Sequence, residues 1–137
     1  MSLRLLLTIS GGLEALVGVL TLISPAILTD VLTGGPADAG TIVLARLFGA
    51  GVFALGLACL KARDHAGTPA GLAVSLGITS YNVLAAVTII WVAAGLGRSG
   101  LLLWGAGIGH AVLGALFVSA LIRMIHEASA ASAATRF

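Results

Sequence analysis

Charge is scarce in this 137-residue chain, with Asp, Glu, Lys and Arg together supplying 9% of it. A soluble domain usually carries about a quarter charged residues to solvate its surface. A chain this poor in polar groups cannot cover a globule, so its outer surface must face hydrocarbon. The seven basic residues exceed the five acidic ones by two and are scattered. That excludes the Lys and Arg clusters that displace counterions from nucleic acid. A single cysteine, Cys59, excludes intramolecular disulfides, CxxC redox chemistry and thiolate zinc sites. It also excludes the disulfide-forming quinone reductases, which keep paired cysteines in a bundle of similar size. Cys59 lies in an apolar stretch and reads as a small apolar filler.

What remains is apolar: 59% of the residues, with a mean hydropathy of +1.15. The length fits one domain, and the apolar residues fall into four runs, 3–23, 41–60, 69–94 and 101–122. At 1.5 Å rise per residue each reaches about 30 Å, the thickness of a bilayer's hydrocarbon core. Ser24-Pro25 ends the first run, Lys61-Ala62-Arg63-Asp64-His65 the second, and Gly95 to Gly100 the third, while Pro69 opens the third at a favourable first-turn position. The first run is too long for a cleaved signal peptide and holds Glu14 near its centre, so it reads as a retained span. The expected fold is all-α, a four-transmembrane-helix bundle with antiparallel neighbours, followed by a cytoplasmic tail at 123–137 that extends the last helix or frays.

Orientation follows from the basic residues flanking the spans. Alternating spans put Arg4, Lys61, Arg63, Arg123 and Arg136 on one side, against Arg98 alone on the other. Both termini are therefore expected in the cytoplasm. In the first outer loop, Ala26–Leu32 has the composition of a short interfacial helix, and Gly34-Gly35-Pro36 turns the chain back. Trp91 and Trp104 lie near outer span ends, as an aromatic belt would place them. His65 and His126 sit beside Asp64 and Glu127 and read as solvated.

Each span also carries a polar residue deep inside it: Glu14, Arg46, the pair Tyr81-Asn82, and His110. Glu14, Asn82 and His110 fall within about one turn of the midplane, and Arg46 about one turn toward the outer side. Small residues stand at helical spacing beside them, among them Gly11 and Gly18, Gly49, Ala85 and Ala86, and Gly107 and Gly114. Membrane helices approach one another at such residues, so the polar groups are expected to face the bundle interior. An ionised group at the bilayer centre costs at least about 2.5–3.5 kcal/mol. Glu14 and Arg46 are therefore expected to pair, with Tyr81, Asn82 and His110 completing the hydrogen bonding. Polar residues that only hold helices together are the competing reading, strongest for Tyr81 and Asn82. Gly105-xxx-Gly109 fits a small-xxx-small pattern, which 19 glycines would also produce by chance.

The stretches Gly11-Gly12-Leu13-Glu14-Ala15-Leu16-Val17-Gly18, Ala45-Arg46-Leu47-Phe48-Gly49-Ala50-Gly51, Tyr81-Asn82 and Leu103-Trp104 through His110-Ala111 together resemble the DoxX-like group of small four-helix membrane proteins. The resemblance implies a four-helix bundle and a lipophilic ligand or a larger complex, since some members are associated with quinone-linked oxidation. It supplies no catalytic residue.

Three functions compete. The first is a binding or accessory subunit that holds a quinone- or isoprenoid-like molecule in the bundle, or packs on a larger membrane complex or its own copies. Glu14, Arg46, Tyr81, Asn82 and His110 would form the polar centre of that bundle. The second is a proton-coupled transporter using Glu14, as in small multidrug-resistance transporters, although Arg46 would oppose it by holding Glu14 charged. The third is a membrane enzyme acting on an apolar substrate with Glu14 and His110 as base and acid; sterol isomerases of that kind use several carboxylates. No catalytic set is complete, and Glu14 with His110 falls short of the three protein ligands of a catalytic zinc. A haem shared between two chains through His110 is a lesser alternative. Lys61 lies at a span's end, away from where retinal would be held. The Ala- and Gly-rich composition fits a bacterial inner membrane.

Overall fold

The computed structural model describes residues 1–95 and 101–134. The expected break after Gly95, with Arg98, and the terminal Arg136 lie outside the described residues. Five α-helices account for nearly all the rest: α1 (Leu3–Ile23), α2 (Pro25–Thr33), α3 (Ala39–Ala62), α4 (Pro69–Gly95) and α5 (Leu101–Ala134). A short 3-10 turn, Arg63–His65, follows α3, and no strand occurs among the described residues. Four of the helices, all but α2, are long and apolar enough to cross a membrane. The protein is an all-α bundle with the character of an integral membrane protein.

Local chemistry sets the helix boundaries. Ser2 caps α1, its Oγ accepting from the Leu5 N–H at 3.3 Å. Pro25 opens α2 at the first turn, where its missing N–H costs nothing. Gly34 closes α2 in the left-handed conformation, φ 75°, which only glycine adopts cheaply. The return loop is held by the Ala37 N–H donating to Asp30 Oδ1 at 2.8 Å. Asp38 then caps α3 by accepting from the Thr41 N–H at 2.7 Å, so the helix starts at Ala39 rather than at Thr41. Thr68 caps α4 through a 3.1 Å bond from the Gly71 N–H. Past Ile122 the last helix continues to Ala134, because the Ala-rich sequence is a good helix former.

The long helices associate as two close pairs, α1 with α3 and α4 with α5. Glycine sets the first pair. A Cβ on Gly18 would lie 2.5 Å from the Phe53 nitrogen, and one on Gly56 would lie 2.5 Å from the Ala15 nitrogen. The two backbones touch along a seam from Gly11 and Gly18 to Gly49 and Gly56. In the second pair, Gly107 lies under Ile89 and Ile90, and Gly114 under Val83 and Asn82. Gly105 and Gly109, which carry the small-xxx-small spacing, face open space instead.

The two pairs share a packed core at the end where α1 begins and α3 finishes. Leu3, Leu6, Leu7, Cys59, Ile78 and Phe117 form a continuous buried core there. Arg4 of α1 bridges to Asp64 after α3 at 2.9 Å, and Arg123 of α5 donates to the Met1 carbonyl at 3.2 Å. These contacts put the start of α1, the end of α3 and the late part of α5 at one end, as an antiparallel four-span chain requires. Around the outside, large apolar side chains such as Leu44, Leu84 and Ile23 stand free. In water so large an apolar surface would drive aggregation; around a bundle of this length it is a lipid-facing belt.

Candidate ligand cavity

Away from the packed end, the two pairs separate around a cavity of about 440 Å³, a volume within the usual range for small-molecule sites. All five helices contribute to its wall. Leu13, Glu14 and Val17 come from α1, Phe48 from α3, Tyr81 and Ile89 from α4. Leu103, Ala106, Gly109, His110 and Leu113 form the α5 wall, and Leu28 and Leu32 of α2 close one side. The wall is almost wholly hydrocarbon, and its polar groups are confined to Glu14, Tyr81 and His110.

Those three are positioned by the elements that carry them. Glu14 lies on the buried stripe of α1 with Ser10, Gly11 and Gly18, so the glycine seam that docks α1 on α3 also turns the carboxyl inward. It is 4% exposed. Tyr81 lines the cavity together with Glu14, and the Tyr81 ring stands edge-on to the His110 imidazole with centroids 5.4 Å apart.

Asn82 is fully buried behind them. Its amide Nδ2 donates to the Ile78 carbonyl one turn earlier at 2.8 Å. Its Oδ1 therefore faces His110, whose Nδ1 lies 2.9 Å away. A carbonyl can only accept, so the atom beside the Ile78 oxygen must be the amide nitrogen. The oxygen that remains can only accept as well. His110 consequently carries its proton on Nδ1, and neutral imidazole then presents a lone pair on Nε2. Three other buried hydroxyls are satisfied by their own helices: Thr21 on Val17, Ser75 on Gly71 and Thr79 on Ser75. Ser10 Oγ is buried with no partner among the described residues.

The structure thus brings Glu14, Tyr81, Asn82 and His110 together, with Asn82 acting from behind the cavity wall. Arg46 does not join them. It is exposed on the outer flank of α3 with Val43, Leu47 and Ala50, and the expected ion pair with Glu14 is not formed. The cause is the seam: burial of Gly49, Val52, Gly56 and Cys59 against the rest of the bundle fixes the rotation of α3 and turns Arg46 outward. The ion pairs found among the described residues, Arg4–Asp64 and Arg63–Asp64, lie at the terminal end. Among the described residues, no three His, Cys, Asp or Glu side chains converge to hold a metal ion.

Sequence reasoning missed most of the apolar wall. Leu28 and Leu32 belong to the short helix it expected, but nothing in their spacing places that helix over the cavity. Trp91, expected near an outer span end, is largely exposed beside the α4–α5 groove, and Trp104 is half-buried. No family model matches the chain, and no curated protein or solved structure does.

Proposed function

We propose that the protein is a small membrane-embedded binding protein whose cavity takes a lipophilic molecule with one polar group, of the isoprenoid or quinone type. The observation that carries this reading is the combination of an apolar wall with a single cluster of convergent polar groups, Glu14, Tyr81 and His110. Ligand sites are built this way: hydrocarbon gives affinity, and a few polar groups fix orientation. Leu13, Val17 and Gly109 are part of the wall and are exposed. They mark the α1–α5 flank as the route by which a molecule dissolved in the bilayer would enter. A shallow apolar groove along α4 and α5, beside Val83, Val87, Ile90 and Trp91, offers a surface for lipid or for a larger membrane complex, the accessory role that the DoxX-like resemblance also favours. Basic residues such as Arg4, Lys61, Arg63 and Arg123 support an orientation with both termini cytoplasmic, and the Ala- and Gly-rich composition favours a bacterial inner membrane.

Filling the cavity tests the reading. A Cβ on Gly109 meets nothing within 4 Å and Gly109 lines the cavity, so Gly109→Phe is the variant designed to bring a ring to the cavity wall without a clash at Cβ. Wild-type protein purified in mild detergent is expected to carry a lipophile in near-stoichiometric amount, and Gly109→Phe to lose it while remaining folded. Equal lipophile content in the two proteins would remove the cavity from consideration.

Proton-coupled transport is the second reading, and one observation favours it. With Arg46 turned away, Glu14 has no countercharge among the described residues, which lifts the main objection to a proton-carrying role. Proton flux in vesicles that is unchanged by Glu14→Gln would end it.

A further inference from the structure

We infer that the cavity selects lipophiles that end in a hydroxyl group over those that end in a carbonyl or an ether, and that the hydroxyl hydrogen is received by His110 Nε2. The inference rests on the reading of the cavity as a lipophile site and specifies the head group it takes.

The hydrogen-bond chain is directional. The Ile78 carbonyl fixes the Asn82 amide nitrogen, the Asn82 oxygen fixes the proton on His110 Nδ1, and Nε2 is left as an acceptor. His110 lines the cavity, and no described protein group bonds to Nε2. A carbonyl or ether oxygen placed there would set one lone pair against another. A hydroxyl instead donates to Nε2 and keeps its own lone pairs for the O–H of Tyr81, which lines the same cavity beside Glu14. An alcohol or a hydroquinone therefore satisfies both sides of the polar cluster, whereas the corresponding aldehyde or quinone satisfies one. The cavity is apolar beyond that cluster, so the rest of the molecule is a hydrocarbon tail.

The test uses farnesol, farnesyl methyl ether and farnesal, which share a tail and differ in the head. The three are offered together to the full-length protein in detergent micelles, and bound molecules are counted by native mass spectrometry. His110→Phe, which has no acceptor, serves as the reference for micelle partitioning. A buried acceptor left unpaired discriminates by about tenfold. Farnesol is expected to be enriched about tenfold over the other two on the wild type, and the enrichment to vanish in His110→Phe. Equal binding of all three to the wild type would overturn the hydroxyl preference and leave the cavity reading standing. No binding of any would remove both.

A second measurement needs no variant. Nitrogen-15 spectra of histidine-labelled wild-type protein are expected to show one buried imidazole protonated on Nδ1 and bare on Nε2, the latter shifting when farnesol is added. A proton on Nε2 would overturn the inference whatever the variant does.

Discussion

Replacing Gly56 by alanine would put a methyl group 2.5 Å from the Ala15 nitrogen, 2.8 Å from the Gly11 carbonyl oxygen and 2.9 Å from the Ala15 Cα. All three neighbours are backbone, so no side chain can rotate away and the helices themselves must part. Restoring ordinary contact, about 3.5 Å between carbons, requires roughly 1 Å of separation. A gap of that size forfeits a quarter to a half of the dispersion energy at each contact along the rest of the seam. Overpacking of this kind costs about 1–3 kcal/mol, against which alanine returns up to about 1 kcal/mol of helix propensity. The net expectation is a loss of about 1–2 kcal/mol. Gly12→Ala is the control, because its Cβ meets nothing within 4 Å and only the propensity gain remains. The reporter is already in place, since Cys59 is the only cysteine, is fully buried and lies against Gly11 in the same seam. Maleimide labelling of Cys59 across an SDS titration in mixed micelles gives the unfolding midpoint directly. Gly56→Ala should label at lower SDS than wild type, and Gly12→Ala at equal or higher SDS. Identical midpoints for the two variants would refute backbone contact at this seam.

Further outcomes follow from other parts of the bundle. Arg46→Leu is expected to change stability by no more than about 0.5 kcal/mol, as at an unpartnered surface position; a loss of about 3–5 kcal/mol in the same SDS titration would mean that Arg46 does pair with a buried charge. Asn82→Leu removes the acceptor that holds His110 and should cost about 0.6–1.7 kcal/mol, from the average to the largest measured interhelical hydrogen bond. It should also lower retention of any bound lipophile, and full retention by mass spectrometry would contradict the positioning role. At the start of α3 the Thr41 backbone N–H bonds the Asp38 carboxylate and holds its pKa below the ordinary aspartate value. A lowered folded-state pKa means that the cap stabilises the fold above the unfolded-state value and is lost as pH falls through the folded one. Wild-type stability should therefore decline on acidification with a component that is absent from Asp38→Asn, which keeps a capping oxygen but does not ionise; parallel pH profiles would contradict it.

The spans were legible because a bilayer imposes a length, and four apolar runs of that length leave little freedom. Ser24-Pro25, Gly34-Gly35 and Pro69 mark the helix ends in the sequence for reasons that are local to the backbone. Glu14, Tyr81, Asn82 and His110 could be singled out because polar groups in an apolar run must find company. Arg46 met the same criterion and was misplaced. Its rotation is decided by Gly49, Val52, Gly56 and Cys59 packing against the rest of the bundle, and a sequence does not show which of a helix's small residues make the contact. The same ambiguity hid the seam. Gly107 and Gly114 pack while Gly105 and Gly109 face open space, although both pairs read equally well as small residues at helical spacing. The cavity itself was not legible, since a void is a property of how two helix pairs diverge and belongs to no residue.

A lipophile bound as proposed occupies the space between the pairs, with its head at Glu14, Tyr81 and His110. The most direct test is photolabelling of the membrane-embedded protein with a farnesol analogue carrying a diazirine on its tail, followed by peptide mapping. Crosslinks are expected at the cavity wall, at Leu103, Ala106 or Leu28, and are competed away by unlabelled farnesol. Crosslinks confined to lipid-facing positions such as Leu44 and Leu84, and insensitive to competitor, would contradict that placement.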